Sequence, residues 1–304
     1  MSSTLVCDFL SDWVAIRSAT VRARTIEQYR GAVGVICAAV GDRALEDLTP
    51  AACAAVYAPI VAAGHNRSAQ IVHTVFAMAM RSAVDFHLLP VSPMQGLHRP
   101  KYDEREIDPF DADDAAALLA DPAHGIAWQL LRGTGMRRGE ACALRWSDID
   151  LRGGMVSISR QLVASAGALV ESAPKSKAGV RVVPISAELC DALRMHLRKQ
   201  FLICRRGDYV ISSDGARINP RTLNAWLSAA AERADVLAAH PHRWRHTYGA
   251  DAVSAGIDIR VLQRLLGHKN ISITARYYAY VRPDVLRSAA DLIAAYQAAA
   301  SSDF

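Results

Sequence analysis

The sequence predicts a mainly α-helical protein with a small β-sheet in its second half, arranged as two domains. Three observations predict it. Apolar residues recur at helical spacing through residues 1 to about 98. Pro90, Pro93 and Pro100 then interrupt any helix, since proline lacks the N–H donor and clashes with the preceding turn. Period-two alternation is concentrated between Met155 and Val183.

In the first part, Leu5, Phe9, Trp13 and Ile16 mark one helix, and Ile26, Tyr29, Val33 and Ile36 mark a second that ends near Gly41. Thr49-Pro50 opens a third, with threonine as N-cap and proline in the first turn, running to about Gly64. Asn66 to His87 is a fourth, with Ile71, Val75 and Met78 inward. Leu89 to Asp108 reads as the connector, and its KYDERE run as solvated charge. Arg17, Arg22, Arg24, Arg30, Arg67 and Arg81 could touch phosphates, but nearby acidic residues almost balance them, so ordinary surface charge is the better reading of each.

The second part opens with Asp111 capping a helix to Leu119, then a helix over 123–132 that stops at GTG. A new helix follows at once in TGMRRGE, which places Arg137 in a first turn beside unpaired backbone N–H groups. Glu140 lies three residues on, where it can orient or pair with Arg137. Met155 to Ser159, Leu169 to Glu171 and Val180 to Val183 read as strands, and PKSKAG as a lysine-bearing turn between the last two. Ser186 to Phe201 is an amphipathic helix, and Asn219-Pro220 opens another. Helices are then expected over about 242–255, 258–266 and 272–278, with a last one from Pro283.

Composition sets bounds. Of 304 residues, 51% are hydrophobic, enough for packed cores in one or two domains. A net charge of +5 is compatible with a polyanionic partner without requiring one. The six cysteines form no C-x-x-C pair, which argues for reduced thiols and against a disulfide framework or zinc site. No secretory signal is expected, and the longest weakly polar run, Ala51 to Gly64, falls short of the roughly 20 residues of a membrane span. A cytoplasmic protein is the expectation.

Chemistry gathers between His242 and Tyr278. This stretch holds His242 and Arg245, the later His268, and the adjacent phenols Tyr277 and Tyr278. Cations beside a phenol suggest covalent chemistry on a phosphate. A metal reading of His242 and His246, four apart on a helix, lacks the glutamate of H-E-x-x-H and a third ligand, so no metal is expected.

TGMRRGE, PKSKAGVRVVP, PHRWRHT, LLGHKN and the tyrosines of ITARYYAYV resemble, in order, the motifs of the tyrosine recombinase, or phage integrase, family over roughly residues 109–281. The resemblance implies a two-domain DNA clamp: a helical core-binding domain at 1–98, a linker at 99–108, and a catalytic domain at 109–304 with a C-terminal helix from about 283. It assigns Arg137 and Arg245 to clamping the phosphate, His242 to proton transfer and His268 to bonding the scissile phosphate. Lys175 becomes the acid for the departing 5′ oxygen, with Lys177 its near neighbour, and Glu140 the supporting carboxylate. His246 is implied to be packing or support. The family places its nucleophile nine or ten residues after the LGH histidine, which gives Tyr277 or Tyr278. The usual tyrosine–any–histidine–aliphatic frame fits Tyr278-Ala279-Tyr280-Val281, so Tyr278 is the expected nucleophile. Trp244 stands where leucine is usual, a difference of packing rather than chemistry.

The implied activity is site-specific recombination of double-stranded DNA attachment sites through a 3′-phosphotyrosyl intermediate, without a cofactor. A homo-tetramer on DNA, joined through the C-terminal helix, and an accessory or directionality factor are the implied partners. The hairpin, one residue longer than in Xer types, leans toward a phage or mobile-element integrase. A Xer-like dimer resolvase, a non-cutting DNA-binding protein of this fold and a type IB topoisomerase are the alternatives. No room is left before Leu5 for an arm-site-binding domain.

Overall fold

A computed structural model describes residues 4–102, 108–165, 168–174, 176–204, 208–212 and 216–279, together with Arg287, Asp291, Ile293 and Ala294. Lys175, most of the segment after Pro283 and part of the connector lie outside the described residues. The chain divides into two compact units, Met1–Arg105 and Glu106–Phe304. No described helix is long and apolar enough to cross a membrane.

The described residues of the first unit form four α-helices: α1 (Val6–Ser18), α2 (Ala23–Val40), α3 (Pro50–Ala62) and α4 (Asn66–Asp85). The Thr49 hydroxyl accepts from the Ala52 N–H at 3.2 Å, and Pro50 follows at the first helical position. Phe9, Leu10, Trp13, Ile36, Phe76 and Met80 are buried in one core. The Trp13 indole N–H donates to the buried Ser82 hydroxyl at 3.0 Å, tying α1 to α4. Of the six arginines singled out, Arg17 lies over the Trp13 ring and Arg67 over Tyr102, each at 5.5 Å.

The second unit begins with α5 (Ala112–Leu119), capped by the Asp111 carboxylate at 2.8 Å, then α6 (Gly125–Thr134) and the short α7 (Arg138–Ala143). Next come the strands β1 (Ile149–Asp150), β2 (Met155–Ile158), β3 (Gln161–Ser165), β4 (Ala168–Ser172) and β5 (Arg181–Pro184). They form an antiparallel sheet in the order β1-β2-β5 and a separate β3-β4 hairpin. β1 and β3 were not predicted: β1 is two residues long, and β3 pairs only with its neighbour in a ribbon. The helices α8 (Ala187–Cys204), α9 (Pro220–Arg233), α10 (Pro241–Ser254), α11 (Ile259–Leu266) and α12 (Ile271–Ala279) complete the unit.

The core of this unit is built on Trp128, Leu130, Leu131, Leu223, Leu227 and Trp244. Trp244 sits 4.6 Å from the Phe110 ring, fully buried, and among the described residues its indole N–H has no hydrogen-bond partner. The expectation that this tryptophan affects packing therefore carries an added polar cost, since a buried unpaired donor loses its water. Packing of α10 on α6 and α12, and of α11 on α12 and β5, brings the distant motifs together.

Candidate active site

The turn after α6 starts the site. Gly135 ends α6 in the left-handed conformation (φ 58°), and the chain enters α7 at once with Arg137 as its N-cap. The expected free N–H of this first turn is occupied. The Arg137 backbone N–H donates to Glu140 Oε2 at 2.8 Å, and its guanidinium to Glu140 Oε1 at 2.9 Å. Arg137 therefore offers a partly exposed guanidinium held from behind.

Glu140 has a second cation that sequence reasoning missed. Arg181 donates to both carboxylate oxygens, at 3.2 and 2.9 Å, and its Nε–H donates to the Leu265 carbonyl at 2.7 Å. Both side chains are almost wholly buried, 5% exposed for Arg181 and 1% for Glu140. Burial pushes the Glu140 carboxyl up, but the bonds and charges of Arg181 and then Arg137 outweigh it and hold it below the ordinary carboxylate range. No sequence signal marks Arg181: the flanking Val180 and Val182 are 55% and 57% exposed, while the arginine between them takes the core-facing position of β5.

Arg245 is 1% exposed on α10. It donates to the Gly135 carbonyl at 2.7 Å and to the Leu266 carbonyl at 2.5 Å. Burial, and then repulsion from Arg137, push its pKa down to about 9, which still leaves it charged at neutral pH. A buried guanidinium held by two neutral carbonyls is poised for an anion.

His268 is buried directly after Gly267, which takes φ 64°, and its Nδ1 lies 2.9 Å from the Thr274 hydroxyl. A Cβ on Gly267 would meet the Ala178 carbonyl at 2.6 Å, so the lysine-bearing turn (Lys177–Gly179) presses on the LGH turn only because glycine stands there. Lys177 itself is exposed. Desolvation and then Arg245 and Arg137 push His268 down to about 3. His242 is also pushed down to about 3, by desolvation, then His246 and Arg245. His242 nevertheless keeps a solvent-exposed face. Both imidazoles are neutral at pH 7.

His246 stands 4.8 Å from His242, ring to ring, and 6.1 Å from Tyr277; its Nδ1 is buried with no partner among the described residues. Among the described residues no three His, Cys, Asp or Glu side chains converge as metal ligands.

The two tyrosines separate cleanly. Tyr277 is 3% exposed, its ring 6.1 Å from His268 at an interplanar angle of 20°, and the Arg245 and Arg137 charges act on its phenol. Burial raises its pKa, opposed by Arg245, Arg137 and Arg276. Tyr278, the expected nucleophile, is not brought to this site: its hydroxyl donates to the Ile257 carbonyl. Adjacent residues on an α-helix differ by about 100°, so α12 can present only one phenol to the arginines. The motif frame that favoured Tyr278 did not carry this helical phase.

Gly249 makes room for Tyr277. A Cβ there would fall inside the contact distance of Tyr277 Cδ1 and Cε1. Glycine costs about 1 kcal/mol against alanine inside a helix, so α10 gives up stability to seat the ring. Gly249→Ala is therefore expected to displace Tyr277 and weaken the unit despite its better helix propensity. Thermal unfolding together with Tyr277 fluorescence or proton shifts would show it; an unchanged ring environment would contradict the contact.

Residues 109–283, more than half of the chain, match the sequence model of the phage integrase family. The chain belongs to this family. Among curated relatives, a protein described as tyrosine recombinase XerC-like from Caldanaerobacter subterraneus subsp. tengcongensis is 30% identical over 204 residues, covering 59% of this chain and 52% of that protein. Tyrosine recombinase XerC from Pseudomonas savastanoi pv. phaseolicola is 31% identical over 194 residues, covering 61% and 60% respectively. The alignments thus span about half to three fifths of these relatives' lengths. Among solved structures, the Tn1549 transposon integrase in complex with a circular intermediate DNA superposes with a TM-score of 0.79 at 19% identity, covering 96% of this chain and 100% of that one. A lambda integrase tetramer bound to a Holliday junction gives 0.70 at 20% identity, covering 91% and 78%. These likenesses concern the fold: mainly helical, with a small sheet.

Proposed function

We propose that the chain is a site-specific DNA recombinase that cleaves and rejoins duplex DNA through a 3′-phosphotyrosyl intermediate, with Tyr277 as its nucleophile. The observation that carries this is a buried phenol ring 6.1 Å from the His268 ring, with the charges of Arg245 and Arg137 acting on its oxygen. The Tyr277 oxygen attacks phosphorus, the bond to the 5′ oxygen breaks, and that oxygen leaves with a proton. Arg137 and Arg245 fork onto the non-bridging oxygens and stabilise the added charge of the transition state. The phenol, protonated at neutral pH because burial raises its pKa, gives its proton to a base, and neutral His242 can accept it. A phosphate between the two arginines would offset the cationic share of the effect that, after burial, holds these imidazoles low. In the return step a 5′ hydroxyl attacks the phosphotyrosine, so the ester energy is kept and no cofactor is consumed. Lys175 is the proposed acid for the 5′ oxygen, by resemblance.

The proposed partners are duplex DNA sites and further copies of this chain, four on two sites, joined through the segment after Pro283. A mobile-element integrase is supported by the hairpin length. A Xer-like resolvase is the second reading, favoured by the XerC relatives at 30–31% identity. The DNA would be met in the cytoplasm.

The test is a library of nicked duplexes from which the cleaved strand's end diffuses away. A protease-sensitive covalent complex is the expected product. Binding without any adduct would favour the non-cutting reading. Exchange between direct repeats on one plasmid would favour resolution, and joining of two unlike sites on separate molecules would favour integration.

A further inference from the structure

Thr274 spends its buried hydroxyl on an imidazole. It is fully buried on α12, with Oγ1 2.9 Å from Nδ1 of His268. Other helical threonines behave differently. Thr74 donates to the Gln70 carbonyl at 2.7 Å, Thr134 to Leu130 at 2.6 Å and Thr247 to Arg243 at 3.0 Å, each four residues back. Among the described residues, the Thr274 hydroxyl has no such carbonyl acceptor. A hydroxyl can donate or accept, so the distance alone permits either direction.

Two considerations point to one direction. The hydroxyl proton has Nδ1 as its available acceptor. The imidazole also lies among Arg245, Arg137 and Arg181, cations that would gather an anion beside it. An anionic oxygen attracts an N–H and repels a nitrogen lone pair. We infer that Thr274 sets the tautomer of His268: its Oγ–H donates to Nδ1, and the single ring proton of the neutral imidazole sits on Nε2, as a donor for the bound anion. Thr274 is a positioning residue, acting through His268. It also precedes Tyr277 by three positions on α12, so the same bond ties the helix of the proposed nucleophile to the imidazole. That the anion is a DNA phosphate rests on the proposed function; the tautomer does not.

The test uses the full chain with ¹⁵N-labelled histidine rings, the His268 signals identified by their loss in His268→Gln. Wild type and Thr274→Ser are expected to show Nε2 protonated and Nδ1 as acceptor. In Thr274→Val, which keeps the shape and loses the donor, the Nδ1-protonated form should appear. Protonation of Nδ1 in the wild type, or an unchanged ratio in Thr274→Val, would overturn the inference. Should Thr274→Val fail to fold, wild type and Thr274→Ser decide by themselves. On nicked duplexes, Thr274→Val is expected to slow adduct formation roughly ten- to a hundredfold with DNA binding retained, and Thr274→Ser to restore it. Adduct formation by Thr274→Val at the wild-type rate would count against the inference. If the wild type forms no adduct on any duplex, the recombinase reading fails, and the ring spectra still decide the tautomer.

Discussion

Tyr277→Phe is expected to abolish the covalent protein–DNA adduct, and Tyr278→Phe to form it at close to the wild-type rate. Phenylalanine keeps the ring that fills the space beside Gly249 and His268 and removes only the oxygen. The fold should persist while the nucleophile is lost. Removing the nucleophile of an enzyme working by covalent catalysis costs on the order of 10⁶ in rate, so no adduct should be detectable. Tyr278→Phe loses a hydrogen bond to the Ile257 carbonyl, worth about 1 kcal/mol at most in so accessible a position. Denaturing gels of each variant on a nicked duplex read both outcomes. An adduct in Tyr277→Phe with none in Tyr278→Phe would return the role to Tyr278.

Glu140→Ala should produce the largest loss of stability among the site residues. Its carboxylate neutralises Arg181 and braces Arg137, and the alanine variant leaves Arg181 as an unpaired buried cation. Breaking a buried pair from one side costs about 3–5 kcal/mol. Arg137→Ala should cost less stability, because Arg181 still forks onto Glu140, while it removes half of the proposed phosphate clamp. Urea unfolding followed by tryptophan emission, with four of the five tryptophans in the second unit, compares the two variants. Equal midpoints would contradict the assignment of Glu140 as the shared anchor. The pH dependence has a definite sign. The folded pKa of Glu140 lies below its unfolded value, so its contribution is full above the unfolded pKa and is lost as pH falls through the folded one. His268 acts in the same direction: its stabilisation is present above the unfolded value near 6.5 and is lost as pH falls toward about 3. Acid unfolding should therefore begin earlier for the wild type than for His268→Gln.

Much of the helical framework was legible because caps are local. Thr49-Pro50, Asp111 and Asn219-Pro220 each announce a helix start within four residues, and each side chain accepts the N–H bond that the pattern implies. The motif residues were legible as types, since two arginines, two histidines and a phenol suit a phosphate wherever they meet. What escaped was convergence. Arg181 reaches Glu140 across 41 positions, and its importance depends on β5 facing α7 and α11. Thr274 and His246 look like ordinary helix residues until the helices pack. The choice between Tyr277 and Tyr278 turns on the rotation of α12, which neighbouring motif letters do not encode. β3 lacked a signal because a two-stranded ribbon does not require a strong alternating pattern.

The most direct measurement is mass spectrometry of the trapped complex. Wild-type protein is joined to a nicked duplex, digested with nuclease and protease, and the peptide spanning Arg276 to Arg282 is fragmented to locate the nucleotide. The account predicts a nucleotide linked through its 3′ phosphate to the Tyr277 oxygen. The same mass on Tyr278, or on any residue outside the pocket of Arg137, Arg245 and His268, would contradict it.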